Sequence, residues 1–249
     1  MELLIIRHGQ SEADLLEVHE GRADFPLTEL GIGQATHMAE YVAKKYPPDV
    51  ILSSPLKRAS STAQILHQKI GCDLKYEEDL MEFNNGVLAG LPRKEAAIKY
   101  PLPEGGRPIH IPIEGGESEL EFRYRAERIA HKIVHDYKDY KRVAIVSHGG
   151  LISNFIKALL NQSNSKVVYP TGDTGIHLLE IRGDLRIVRF MNKQQHKLSI
   201  NTTNYKSKIY AVIREITACF IVAIMYASNW QKPSICPSGS LKSNVIISP

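Results

Sequence analysis

Two apolar runs in this chain end alike. Residues 3–6 close on Arg7, His8 and Gly9 in "LLIIRHG", and residues 143–146 close on Ser147, His148 and two glycines in "VAIVSHGG". Four apolar residues bounded by turn-forming ones read as a fully buried strand. A titratable group is a costly thing to set at the end of such a strand unless it is paired or has work there. Two such endings point to one shared destination. In open α/β sheets, ligands sit beyond the carboxyl ends of the strands, which is where both histidines fall. The glycine after each histidine lets the backbone turn sharply and lets a ligand approach.

The intervening pattern fits that architecture. Thr28 caps a segment in which Ala35, Met38, Ala39 and Val42 repeat at helical spacing until Pro47-Pro48 stops it. "DVILSSP" is a second short strand, 55–70 a helix beginning on a proline, and 73–76 a third strand. Residues 91–116, rich in Pro and Gly, read as loops around a short helix at 92–99. Phe122, Ala126, Ile129, Ala130, Ile133 and Tyr137 mark a long amphipathic helix, and 151–160 another. A hairpin, 176–181 and 185–190, turns at Gly183-Asp184. Alternating strands and helices predict an α/β fold with a mostly parallel sheet covered on both faces.

Composition excludes several classes. Hydrophobic residues make up 43% and charged residues 23% of the 249, an ordinary balance for a globular chain. The three cysteines, Cys72, Cys219 and Cys236, have no CxxC spacing, so neither a disulfide framework nor a zinc site is indicated. Residues 1–197 hold 26 basic and 26 acidic side chains, and 198–249 hold 5 and 1, so the net charge of +4 sits wholly in the last 52 residues. A basic tail is not a nucleic-acid-binding face, and none is expected. The apolar stretch at 216–227, 12 residues interrupted by Thr217, is too short for a membrane span. No signal-peptide pattern opens the chain, which gives a cytoplasmic expectation. The division expected is a domain over 1–197 and an atypical basic and apolar extension over 198–249.

Two further stretches bring chemistry to the same edge. "SSPLKRASSTA" puts Arg58 at the start of a helix that follows a strand, and "LMEFNNGVLAG" puts Glu82 after an apolar pair. Arginine forks bind tetrahedral oxyanions and keep their charge at any working pH, which suits Arg7 and Arg58 to a phosphate. A histidine beside such cations resists protonation, leaving a ring nitrogen free to attack phosphorus. A second histidine can donate to the oxygens that gather charge, and a carboxyl group can protonate the leaving alkoxide. Ser11 and Ser60 offer hydroxyls to the same ligand. His131 and His135, four apart, read as a solvated helix face, and Arg123, Arg125 and Arg128 as surface charges paired with the glutamates around them.

Taken in order, "IIRHGQSEAD", "GRADFPLTELGIGQA", "SSPLKRASSTA", "EFNNGVLAG", "GGES" and "SHGG" resemble the motifs of the histidine phosphatase superfamily, also called the phosphoglycerate mutase-like family, over about 1–190. The resemblance implies a three-layer α/β/α sandwich and a phosphohistidine formed on His8. It implies that Arg7, Arg58 and His148 hold the phosphoryl group, that Glu82 donates the proton, and that no metal or organic cofactor takes part. Asp14 stands where the family commonly has asparagine; it either points away from the phosphate or selects a cationic or hydroxyl part of the substrate. The family divides chiefly into phosphatases and mutases. Mutases usually carry a tyrosine after the acidic residue and an insertion with paired arginines, whereas Phe83, Asn84 and Asn85 follow Glu82 here. The expectation is a metal-independent phosphomonoesterase for a small phosphorylated metabolite. A 2,3-bisphosphoglycerate-dependent phosphoglycerate mutase comes second and a non-catalytic phosphate-binding module third. Substrate identity and oligomeric state are not readable from the sequence.

Overall fold

The run at 2–7 becomes the strand β1 (Glu2–Arg7), and its alternation explains the layering of the protein. Leu3 and Ile5 join one core cluster with helix residues such as Ile129, Phe155 and Ile156, whereas Leu4 and Ile6 join another with Met38, Val42 and Leu66. A strand that is apolar on both faces needs cover on both, because successive side chains point to opposite sides of the sheet. The computed structural model that shows this describes residues 1–194 and 196; the extension 198–249 lies outside the described residues.

After β1 come α1 (Glu12–Leu16), α2 (Glu29–Lys45), β2 (Val50–Ser53), α3 (Lys57–Ile70), β3 (Asp73–Tyr76), α4 (Arg93–Lys99) and α5 (Glu119–Asp136). The strand β4 (Arg142–Ser147), α6 (Gly149–Leu159), β5 (Ile176–Arg182) and β6 (Leu185–Lys193) complete the order. The sheet runs β3-β2-β4-β1-β5-β6. The first four strands are parallel neighbours, and β5 and β6 are antiparallel. Helices α2 and α3 cover one face and α5 and α6 the other, giving the three-layer α/β/α sandwich.

Most expected elements are present, and the differences have local causes. Thr28 caps α2 by accepting the Gly31 N–H at 2.9 Å, as its residue type predicts. The helix expected from Pro55 starts two residues later. Leu56 keeps an extended backbone, and the side chain of Asp24, distant in sequence, accepts the Lys57 N–H at 2.7 Å. Helix α1 is five residues long, too short to show a period.

What positions the site is the register of β1 with β4. Arg7 pairs with Ser147, and the His8 N–H bonds the Ser147 carbonyl at 3.0 Å. Both histidines are therefore the first residues past two adjacent strands. On the other side, β2 pairs Ser53 with Val146, which brings Ser54 and the start of α3 to the same edge.

The loop after β1 packs on α2 without room for side chains. A Cβ at Gly9 would meet the Gly31 carbonyl oxygen at 2.5 Å, and one at Gly31 would overlap the Gln10 carbonyl oxygen. Alanine favours a helix over glycine by at most about 1 kcal/mol, while a methyl forced against backbone costs roughly 1–3 kcal/mol. Gly31→Ala is therefore expected to destabilise the protein by about 1–2 kcal/mol in urea unfolding; an increase in stability would show that the loop yields freely.

Candidate active site

His8 is 1% exposed, and its Nδ1 lies 2.7 Å from the Gly9 carbonyl oxygen. A carbonyl only accepts, so Nδ1 carries the proton and Nε2 keeps its lone pair. Burial first, and then the charges of Arg58 and Arg7, hold the His8 pKa well below the usual 6.5, against the Gly9 bond that raises it. The turn that carries this carbonyl is itself fixed: the Gly9 N–H donates to Thr62 Oγ1 at 3.2 Å, and Thr62 Oγ1 donates to the Arg58 carbonyl at 2.7 Å.

The His148 ring sits with its centroid 5.0 Å from that of His8, tilted by 57°. Its Nε2 is 2.8 Å from Ser54 Oγ, which also accepts the Leu56 N–H at 3.3 Å. With one lone pair engaged by that N–H, the hydroxyl keeps a hydrogen and a second lone pair, so it can meet Nε2 in either tautomer of His148. Its pKa too is held well below 6.5, by burial and then by Arg58, His8 and Arg7. Nδ1 is buried and has no hydrogen-bond partner among the described residues.

Arg58 is 0% exposed. Its Nη1 donates to the Ala23 carbonyl at 3.0 Å and its Nη2 to that of Gly21 at 2.7 Å; Glu20 Oε1 lies 3.2 Å from Nε without hydrogen-bond geometry. Arg7 Nη1 donates to the Thr171 carbonyl at 2.8 Å, with Asp173 Oδ1 at 3.5 Å, and its Nε is buried and unpartnered among the described residues. Behind Thr171 stands the buried His177, whose Nε2 is 2.8 Å from Thr171 Oγ1 and whose Nδ1 accepts the Asn192 N–H at 3.2 Å.

Glu82 reaches the same edge from a loop. Its Oε1 accepts the N–H groups of Phe83 at 2.9 Å and Leu151 at 3.1 Å, and its Oε2 that of Gly150 at 2.9 Å. The carboxylate thus sits on the N-terminus of α6, the helix that His148 caps. A Cβ at Gly150 would lie 2.6 Å from Glu82 Oε1, so glycine there is what allows the approach.

Three residues offered to the ligand from the sequence, Ser11, Asp14 and Ser60, bond within the protein instead. The exposed Asp14 accepts the Ser11 N–H at 2.9 Å, closing the start of α1, and Ser11 Oγ lies 2.5 Å from Glu20 Oε1 and 3.2 Å from Asp14 Oδ2. Ser60 Oγ donates to the Lys57 carbonyl. Arg125 does pair with a glutamate near it, Glu117, but not at the surface: it is buried on α5 and also binds the loop of Glu82, while Arg128 pairs with Asp79. Sequence reading also missed Ser54 and Thr62. Each is a serine or threonine beside an apolar run, a signal shared by many residues without such a role.

This arrangement can bind a tetrahedral anion at the strand ends and present a nitrogen lone pair to it. The model of the histidine phosphatase superfamily (branch 1) matches residues 3–194. The chain belongs to that superfamily. It is 30% identical over 183 residues to the metal-independent phosphoserine phosphatase of Arabidopsis thaliana, covering 71% of this chain and 76% of that one. It is 29% identical over 214 residues to the 2,3-bisphosphoglycerate-dependent phosphoglycerate mutase of Cytophaga hutchinsonii, covering 80% and 98%. The solved structure of a mycobacterial glucosyl-3-phosphoglycerate phosphatase with VO3 matches with a TM-score of 0.68 at 26% identity, covering 77% of this chain and 98% of that one. Among the described residues, no helix is long and apolar enough to cross a membrane.

The buried histidines make stability pH-dependent. His177, with its pKa lowered by burial to about 4, stays neutral in the folded protein while its unfolded counterpart takes a proton below about 6.5. The unfolded state then binds more protons, so stability falls as pH drops from about 6.5 toward 4, and His8 and His148 act in the same direction. Each pH unit in that window costs about 1.4 kcal/mol for His177. Urea unfolding at pH 7 and pH 5 is expected to show this loss, and His177→Gln to reduce the difference by about 2 kcal/mol. An unchanged difference would mean that His177 already carries a proton in the folded state.

Proposed function

We propose that the protein is a phosphomonoesterase that hydrolyses a small phosphorylated metabolite through a phosphohistidine on His8. The observation that carries this reading is the orientation of the His8 ring. The Gly9 carbonyl accepts the Nδ1–H, leaving Nε2 bare, and Arg7 Nε and His148 Nδ1 are buried with no hydrogen-bond partner among the described residues. Attack by Nε2 forms the N–P bond as the bond from phosphorus to the leaving oxygen breaks. Arg7, Arg58 and His148 hold the phosphoryl oxygens where charge accumulates. Glu82 gives its proton to the departing alkoxide. Water then attacks phosphorus, Glu82 takes a proton from it, and the N–P bond breaks to release inorganic phosphate and the free histidine. No step in this scheme calls on a metal ion.

Ser11 and Asp14, given as substrate-binding from the sequence, are assigned instead to the fold of the loop after β1, since their polar atoms are directed to each other and to Glu20. The organic part of the substrate is assigned to a cavity of about 360 Å³ lined by Phe83, Tyr100, Leu102, Ile111, Arg93 and Arg107 among others, a volume suited to a small ligand. Phe83 links it to the reacting groups, because its N–H holds the Glu82 carboxylate. The mutase reading uses the same nucleophile and is favoured by the likeness to the Cytophaga hutchinsonii protein. The absence from the sequence of the tyrosine and paired arginines expected after Glu82 weighs against it.

The domain is assigned to 1–197. His196 still packs on it, with Nε2 2.9 Å from Thr174 Oγ1. Truncation after Lys197 is expected to leave soluble yield and turnover within about twofold of the full chain; collapse of either would show that the domain needs the extension.

The deciding experiment is turnover of an aryl phosphate, with a chelator present, by the wild type and by His8→Ala. Activity in the first and none in the second is expected, with an acid limb well below pH 6.5 set by His8. Loss of wild-type activity on chelation would overturn the metal-free scheme. No aryl turnover together with transfer between glycerate hydroxyls would favour the mutase, and binding without either would favour the non-catalytic module.

A further inference from the structure

Arg125 lies on the face of α5 that carries Phe122, Ala126 and Ile129, and its side chain is 10% exposed. A guanidinium there is tolerated only if its donors are met, and all five are. Nη1 donates to the carbonyls of Asp79 at 2.8 Å and Met81 at 2.7 Å. Nη2 donates to the Glu82 carbonyl at 3.2 Å and to Glu117 Oε1 at 2.7 Å, and Nε to Glu117 Oε2 at 3.3 Å. The plane of the group also lies 5.0 Å from the Phe122 ring centroid.

Glu117 holds more than the arginine. Its Oε1 accepts the Asn84 N–H at 2.8 Å, and its own N–H donates to the Asn84 carbonyl at 3.0 Å. Between them, the two side chains fasten the backbone of 79–84 on both sides of Glu82 and at Glu82 itself, with Arg22 Nε as a weaker neighbour 3.5 Å from the Glu82 carbonyl. Fixing that backbone fixes where the carboxylate meets the N–H groups of Gly150 and Leu151.

We propose that Arg125, locked by Glu117, is a positioning residue that holds the loop 79–84 so that Glu82 can protonate the leaving group. This rests on the reading of Glu82 as the proton donor. Lysine at 125 keeps the charge but offers three donors on a point rather than five on a fork, so the loop loses contacts while the cation stays. The effect then depends on how badly the leaving group needs a proton: large for an alkyl phosphate and small for an aryl phosphate.

The test is steady-state turnover of an alkyl and an aryl phosphate by the wild type, Glu82→Gln, Arg125→Lys and the double variant, with folding checked by circular dichroism. Arg125→Lys is expected to lower kcat on the alkyl phosphate by about tenfold or more and on the aryl phosphate by no more than about threefold, a fraction of what a general acid contributes. In the Glu82→Gln background it is expected to add nothing further on the alkyl phosphate, as for residues that act as a unit. Equal losses on both substrates, or losses that multiply in the double variant, would reduce Arg125 to a purely structural role and overturn the proposal. If Glu82→Gln itself fails to separate the substrates, the assignment of Glu82 falls and this one with it. If Glu82→Gln separates them and Arg125→Lys does not, only the positioning role falls. Should Arg125→Lys not fold, Glu117→Gln, which weakens the lock and keeps the shape, is put through the same comparison with the same outcomes.

Discussion

The ladder between β1 and β4 is the constraint on which the rest of the site depends. Because those strands are parallel, adjacent and in register, their ends lie at the same height, and His8 and His148 emerge side by side. The neighbouring β2–β4 ladder adds Ser54 and Arg58 at the same level. A shift of one residue in either ladder would send these side chains to the opposite face of the sheet. The apolar runs that read as core are thus also what aligns the chemistry, since a strand buried on both faces has little freedom to slip.

Burial is what turns that geometry into reactivity. Placing two histidines among two arginines favours the neutral imidazole twice over, through lost solvation and through like charge. The arginines are tolerated because backbone carbonyls of 21, 23 and 171 receive them. Carbonyls carry no net charge, so these cations are oriented with little loss of their attraction for an incoming anion. Glu20 and Asp173 stand close enough to trim that excess charge without closing the forks.

How legible this was in the sequence depended on how local each signal is. His8, Arg7, Arg58 and His148 announce themselves because each interrupts or follows an apolar run at a strand end or helix start, and the fold brings such ends together. Asp14 is left open by the sequence between pointing away and meeting the substrate; its carboxylate accepts the N–H of Ser11, three residues before it, a local pairing that competes with any ligand. For Arg125 the sequence reports the nearby Glu117 but not the burial: its other partners are carbonyls more than forty residues away that no periodicity reports.

That contrast separates two kinds of site residue. Those borne by strand ends inherit their placement from the sheet, and the pattern that makes the sheet reveals them. Glu82 is borne by a loop, and a loop has no ladder to hold it. Its carboxylate can serve only if side chains from elsewhere supply the missing bonds, which here come from Arg125 and Glu117 behind it and from the α6 N-terminus in front. A buried, fully bonded cation on a helix otherwise committed to the core makes physical sense in those terms. The cost of desolvating it is offset by five hydrogen bonds, three of them to the backbone of the loop that carries Glu82.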